Sequence, residues 1–462
     1  MNRYKKLLTS SAILMIGNLG TKFGSLFLLP IYTKYLSTSE YGVSDLSITF
    51  INLLLPIITM SIFEMFMKDV IQQPAKKIFY LKNAGFVLIF TNGSAWIIGQ
   101  ILYILGYINL NYSIFLLMLC LMTLQTFNSL LSNYLRAINK NMLYAVMNIL
   151  QTLFLICFSI IMLQNLELGL IGYFYANVGA YVSIFLFSIP IIFFYKEKVN
   201  QKFNYDYSYI KHLIQKSSPL IPNALMWWGI NSADKVFILL ILGTSASGIF
   251  AAANKLPMFV TMLSTVFFQA WQVSAIEEVQ SDKKEEFYTI VFQAFLFLMN
   301  IGVLCLYIFM QPIGKLLFSS NFINAIDYIP FLILATYFSN LASFLGATCI
   351  AEGETRFVFF SSILCALVNI VLSPIFIKSL GLHGAGLSAA ISFLFLAYLR
   401  FNRVRKTFGI NLSPKAYFGH LLIAMAATIF LTITQSKGVI IFLLLLYVAF
   451  QWTYLTKMKK TW

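Results

Sequence analysis

Charge is what this sequence has least of. Only 10% of its 462 residues are Asp, Glu, Lys or Arg, against about 25% in an ordinary soluble domain, and mean hydropathy is +0.82. Acids are the scarcer sign, 16 against 32 bases. Histidine occurs three times, at His212, His383 and His420, with no metal-ligand spacing, and the five cysteines (Cys120, Cys157, Cys305, Cys349, Cys365) form no C-x-x-C pair. The cysteines read as small buried hydrophobes, and no metal or cofactor is implied. There is no G-x-x-x-x-G-K-[ST] loop, so the chain brings no ATP-binding site of its own. A paired-carboxylate or Ser-His-Asp constellation on a long outer loop is missing as well, which disfavours a membrane-embedded polysaccharide polymerase or ligase, and any enzyme.

What fills the sequence instead is apolar length. Runs of 18 or more residues, each able to cross ~30 Å of hydrocarbon as a helix, recur from end to end. Fourteen spans are expected, near 9–34, 41–67, 83–106, 112–135, 142–164, 168–194, 217–242, 247–275, 287–311, 324–350, 357–377, 382–399, 416–434 and 438–456. The fold class is an all-α polytopic membrane protein with about 14 transmembrane helices. The apolar run behind Arg3, Lys5 and Lys6 is too long for a signal peptide and reads as a retained first helix.

The basic residues orient the spans. With both termini cytoplasmic, 25 of the 32 bases fall in inner loops and only Lys34, Lys315, Lys378 and Lys437 in outer ones. Lysines outnumber arginines 26 to 6, and the bases are dispersed in short loops; no nucleic-acid partner is expected. Among the loops, 195–216 is the longest. Its segment "DYSYIKHLIQK" predicts a short interfacial helix capped by Asp206, with Ile210, Leu213 and Ile214 toward lipid and Lys211 and Gln215 toward water. The run "EEVQSDKKEE", 277–286, predicts a solvated cytoplasmic loop.

Two weak internal repeats organise the spans. "YLSTSEYGVSDLS" (35–47) aligns with "ILGTSASGIFAAA" (241–253) at an offset of 206, and "LELGLIGYFYA" (166–176) with "LGLHGAGLSAA" (380–390) at 214. Two homologous six-helix lobes follow, 1–212 and 213–406, related by an axis along the membrane normal, with 407–462 adding two C-terminal helices. Most prolines edge or interrupt spans, as transmembrane helices tolerate; Pro219 and Pro222, paired just before the most charged span, are the hinge candidates.

Three lysines belong to neither side. Lys22 lies inside span 1, Lys235 in span 7 beside Asp234, and Lys255 in span 8. A charge near the bilayer centre costs at least about 2.5–3.5 kcal/mol. Asp234 and Lys235 point about 100° apart on a helix and cannot neutralise one another. A turn near Thr244–Ser245 would put Asp234 and Lys255 at matching depth, which predicts a cross-helix pair. Structural ion pairing between helices is the competing role for these residues. Asp45, near span 2, is the acid candidate of the first half. The buried set carries an excess of positive charge, which suits an anionic substrate (Lys22, Lys235, Lys255) with Asp234 and Asp45 as ion-pair or coupling residues.

"NSADKVFILLILGTSASGIFAAANKL" (Asn231–Leu256) resembles the signature of the Wzx-type polysaccharide-unit flippases of the MOP exporter superfamily: Asn-x-x-Asp-Lys/Arg, a Gly, then Gly-x-Tyr leading to an Ala-rich stretch and a Lys. Phe250 stands where the family commonly has Tyr. "LPIYTKYLSTSEYGVSDLS" (Leu29–Ser47) is similar to the family's first hairpin. The resemblance implies a flippase of the bacterial cytoplasmic membrane. Its cargo would be polyprenyl-pyrophosphate-linked glycan units, moved from inner to outer leaflet by alternating access through a cationic cavity. Such units feed O-antigen, lipopolysaccharide or capsule assembly, with a polysaccharide polymerase as a candidate partner. The alternative within the superfamily is a cation-coupled small-molecule or drug antiporter.

Overall fold

The computed structural model describes residues 3–194, 205–277, 284–408, 414–434 and 437–458. Among them all long elements are helices: α1 (Arg3–Tyr35), α2 (Thr38–Ile58), α3 (Phe63–Gln72), α4 (Lys77–Ile104), α5 (Tyr112–Ala137), α6 (Asn141–Ser159), α7 (Gly169–Phe194), α8 (Tyr207–Ser217), α9 (Leu220–Ala253), α10 (Met258–Glu277), α11 (Lys284–Leu317), α12 (Ala325–Ala351), α13 (Thr355–Leu380), α14 (Leu382–Phe408), α15 (Pro414–Thr434) and α16 (Lys437–Met458). Of the described residues, eleven helical stretches are long and apolar enough to cross a membrane. That count is of the described residues alone and does not confirm the expected fourteen. One of the eleven, Ser232–Thr265, takes in parts of both spans expected at 217–242 and 247–275. Gly243, at φ 85 and ψ −177, is non-helical and divides α9 into two helical segments. The division falls one residue before the turn expected near Thr244–Ser245. A second break follows at Asn254–Pro257, within the expected span 8.

Packing divides the chain into two units, Met1–Ser232 and Ala233–Trp462, so the division falls inside α9. In the first unit α1 lies along α6 at close range. A Cβ at Gly17 would stand 3.0 Å from that of Ala145, and one at Gly24 would overlap Thr152. Small residues permit this approach, which is how helices associate where lipid removes the hydrophobic drive. The indole N–H of Trp228, near the start of α9, donates to the Thr49 carbonyl at 2.9 Å.

The span expected over 41–67 is two helices. Pro56 sits in the last turn of α2, the Ser61 N–H reaches back to the Pro56 carbonyl at 3.0 Å, and Met60 and Ser61 take φ of 50 and 49. This frees α3 as a separate short helix, and α3 changes the fate of α8. Asp206 caps α8 as expected, accepting from the Tyr209 N–H at 3.2 Å. Leu213 is fully buried, however, in a cluster with Phe66 and Val70 of α3, Val87 and Leu88 of α4, and Leu130 and Tyr134 of α5; Ile210 and Ile214 pack against it. The apolar face thus covers protein rather than lipid. A helical hydrophobic stripe specifies burial but not the partner. Polar contacts fix the dock: the Asp206 N–H donates to Asn83 Oδ1 at 3.0 Å, and the Tyr209 hydroxyl to Asp69 Oδ2 at 2.9 Å. Burial, and then the Asp69 carboxylate, push the Tyr209 hydroxyl well above the ordinary tyrosine range. Residues 195–204 and 278–283, from the two expected cytoplasmic loops, lie outside the described residues.

In the second unit α12 is the core helix, packed against α10, α11, α13, α14 and α15. Phe344 stacks on Trp271, Phe295 and Phe292 at centroid distances of 4.7, 4.8 and 5.3 Å. Buried hydrogen bonds cross between helices: Asn300 to the Tyr337 hydroxyl (2.9 Å), Ser264 to Asn340 Oδ1 (2.5 Å), and Tyr307 with Thr428 (2.7 Å). Arg400, counted above as an inner-loop base, is only 5% exposed. Its guanidinium donates to the Ala342 carbonyl (2.7 Å), Ser361 Oγ (3.2 Å), Ser362 Oγ (2.8 Å) and the Val358 carbonyl (3.3 Å), tying α12, α13 and α14 together. Gly346 makes room for it, since a Cβ there would lie 2.6 Å from Nη1. Gly346→Ala is expected to destabilise the protein by about 1–3 kcal/mol, the usual cost of overpacking, read as a lower thermal midpoint in detergent.

Candidate functional site

Asp234 is the acid of the second unit. It lies on α9, about two and a half turns before Gly243, and its partners come from α13: the Ser373 hydroxyl donates to Oδ1, and the Asn369 side chain is a second hydrogen-bonding partner. Ser373 Oγ lies 3.0 Å from Ser388 Oγ of α14. Asn369 Oδ1 is buried and accepts no hydrogen bond. The expected Asp234–Lys255 pair is therefore not what holds the acid. Lys255 is half-buried in the Asn254–Pro257 break, where its N–H donates to the Ala252 carbonyl at 3.1 Å. Matching depth assumed a continuous helix through Lys255, and the chain turns there instead. Lys235 is half-buried on α9.

Neutral donors spread the carboxylate's charge without cancelling it. The groups gathered at Asp234 all offer oxygen: one carboxylate, one amide carbonyl and two hydroxyls. Such a set takes a proton or a small hard cation. Among the described residues no cluster of three His, Cys, Asp or Glu could hold a metal ion.

The first unit holds Lys22 and Asp45. Lys22 is half-buried on α1. Asp45 is half-buried on α2, within electrostatic reach of the phenols of Tyr41 and Tyr173. The Tyr173 hydroxyl hydrogen-bonds the side chains of Ser44 and Asn177, and the Tyr32 ring lies 5.1 Å from that of Tyr173. Beside this tyrosine cluster, Ser37 and Glu40 close a capping box on α2. The second carboxylate oxygen of Glu40 accepts the Leu170 N–H at 3.4 Å, fastening the first hairpin to the start of α7.

The remaining candidate positions are simple to place. Pro219 precedes α9 and Pro222 lies in its first turn, where a missing N–H costs nothing. Phe250 is 4% exposed, so the absent hydroxyl leaves no buried polar group to satisfy. At the second repeat, Glu167 and Gly381, which align at the offset of 214, both take left-handed φ, 48 and 61. The residues that the sequence reasoning missed are Asn369, Ser373, Ser388 and Arg400. Their signal is a polar stripe at helical spacing, Ser361, Cys365, Asn369 and Ser373 on α13, and Ser388, Ser392 and Arg400 on α14.

A family model described as polysaccharide biosynthesis protein matches residues 7–272, more than half of the sequence. The chain belongs to that family. None of the curated proteins matches it. In fold it is similar to the lipid II flippase MurJ in an inward closed conformation, at 16% identity and a TM-score of 0.67, covering 97% of this chain and 99% of that one. It is also similar to the MATE multidrug transporter DinF-BH (15%, TM-score 0.62, 89% and 98%). A third likeness is a MOP superfamily transporter from Pyrococcus furiosus (15%, TM-score 0.55, 88% and 97%). The fold is that of the MOP-superfamily transporters, a multi-pass helical membrane protein, and the family agrees with the resemblance to the Wzx-type flippases.

Proposed function

We propose that this protein flips polyprenyl-pyrophosphate-linked oligosaccharide units from the inner to the outer leaflet of the bacterial cytoplasmic membrane. The observation that carries the proposal is the polysaccharide biosynthesis family match on a chain with a flippase-like fold. The excess of half-buried lysines favours an anionic cargo over a cationic drug. Lys22, Lys235 and Lys255 would accompany the pyrophosphate through an alternating-access cycle, with Pro219 and Pro222 as hinges and both termini cytoplasmic. The product would feed O-antigen, capsule or similar polymer assembly, where a polymerase complex is the candidate partner.

Energetics support the direction. Two negative charges leaving a negative-inside compartment gain about 4.6 kcal/mol per 100 mV. Coupling to a proton or sodium gradient would act at the oxygen cluster of Asp234, Asn369, Ser373 and Ser388. The likeness to a MATE multidrug transporter supports a second reading, cation-coupled drug efflux.

The test is complementation of strains lacking their own polysaccharide-unit flippase, together with flipping of a fluorescent undecaprenyl-pyrophosphate oligosaccharide in proteoliposomes. Restored surface polymer and labelled lipid in the outer leaflet are expected. Efflux of a cationic dye such as ethidium, with no lipid movement, would replace the proposal by the antiporter.

A further inference from the structure

A cavity of about 280 Å³ opens in the second unit, and Asp234, Asn369, Ser373 and Ser388 are not among its lining residues. Four polar side chains line it: Gln311 of α11, Asp327 of α12, His383 of α14 and Thr432 of α15. In the orientation expected from the loop charges, with both termini cytoplasmic, all four helix ends face the outer side. Asp327 is exposed and makes no ion pair among the described residues. His383 Nδ1 is buried without a hydrogen-bond partner, while its ring is held by Tyr328 at a centroid distance of 4.7 Å. Thr432 already donates its proton to the Ile429 carbonyl at 2.9 Å, which leaves its oxygen free to accept. The rest of the lining is apolar: Met310, Ile326, Pro330 and Leu431.

From this geometry we infer a binding site for one hydroxylated sugar ring, reached from the outer side. The cavity is rich in acceptors, and sugar hydroxyls are donors. A carboxylate can take two neighbouring hydroxyls at once, and hydrogen bonds to a charged acceptor are the strong ones. The four apolar lining residues offer contact to the C–H groups of a pyranose. The volume lies at the small end of ligand pockets, a single ring rather than an oligosaccharide. The unpartnered Nδ1 is an atom whose desolvation only a ligand or water offsets. The role of this site, holding a terminal sugar of the delivered glycan after crossing, rests on the proposed function; the binding itself does not.

The experiment is saturation-transfer NMR on the purified full chain in detergent, with glucose, galactose and N-acetylglucosamine as probes. At least one is expected to bind, with affinity at least about tenfold weaker in Asp327→Ala and His383→Ala. Thermal midpoints check folding, and Gln311→Leu and Thr432→Val give the same test should either alanine variant misfold. No saturation transfer from any of the sugars, or equal transfer in all variants, overturns the inference. Sugar binding in a protein that fails to flip lipid would keep the site and sink the flippase proposal; flipping without sugar binding does the reverse.

Discussion

Asp234→Asn is expected to leave the protein folded and to cut gradient-driven transport about 100-fold, the upper end of a coupling free energy of ~3 kcal/mol. The partners of Asp234 are neutral, Ser373 and Asn369. Neutralising the acid therefore strands no buried cation on that side, and it removes a desolvation penalty. The thermal midpoint should hold or rise while transport falls. Measured in proteoliposomes with imposed sodium or proton gradients, the wild type should respond to one of them and the variant to neither. A variant that still responds to its gradient would place coupling elsewhere, with Asp45 the next residue to test.

Lys235→Ala and Lys255→Ala are each expected to reduce lipid flipping by about ten- to a hundredfold, the loss of one charge-assisted contact worth ~1.5–3 kcal/mol. Lys→Arg at either position should keep most of the activity, because charge is retained while shape changes. Lys→Met keeps much of the apolar stem and should behave like alanine, which separates charge from packing. Complementation at matched membrane levels reads the result. If the alanine variants flip at wild-type rates, these lysines hold helices together, and the cargo's charge is met by other groups.

The helical membrane architecture was legible because apolar length and loop charge are long-range, redundant signals. Asp234 was legible for a different reason: an acid in hydrocarbon is costly enough to stand out alone. Its partners were not. Serine and asparagine in an apolar helix carry little cost and little signal, and only their spacing on α13 marks them. Which helix they would face depends on tertiary packing. The same limit explains α8, whose apolar stripe was plain and whose cover was not, since the α2–α3 break that builds the floor beneath it turns on Pro56 and two left-handed residues. Arg400 misled for the opposite reason. A base at the end of a span reads as solvent-facing, and nothing local reveals the carbonyls and hydroxyls that surround it.

Gly243 has open space around it, with no atom within 4 Å of where a Cβ would stand. Its φ of 85 and ψ of −177 nonetheless lie in a region that essentially only glycine occupies. Every single-base missense change in a glycine codon introduces a Cβ, so this site has no neutral neighbour in mutational space. The adjacent Leu242 is more than a third exposed on an apolar stretch and can drift among hydrophobic residues. A library scanned for function should thus show an invariant column beside a permissive one, set by backbone geometry and not by crowding.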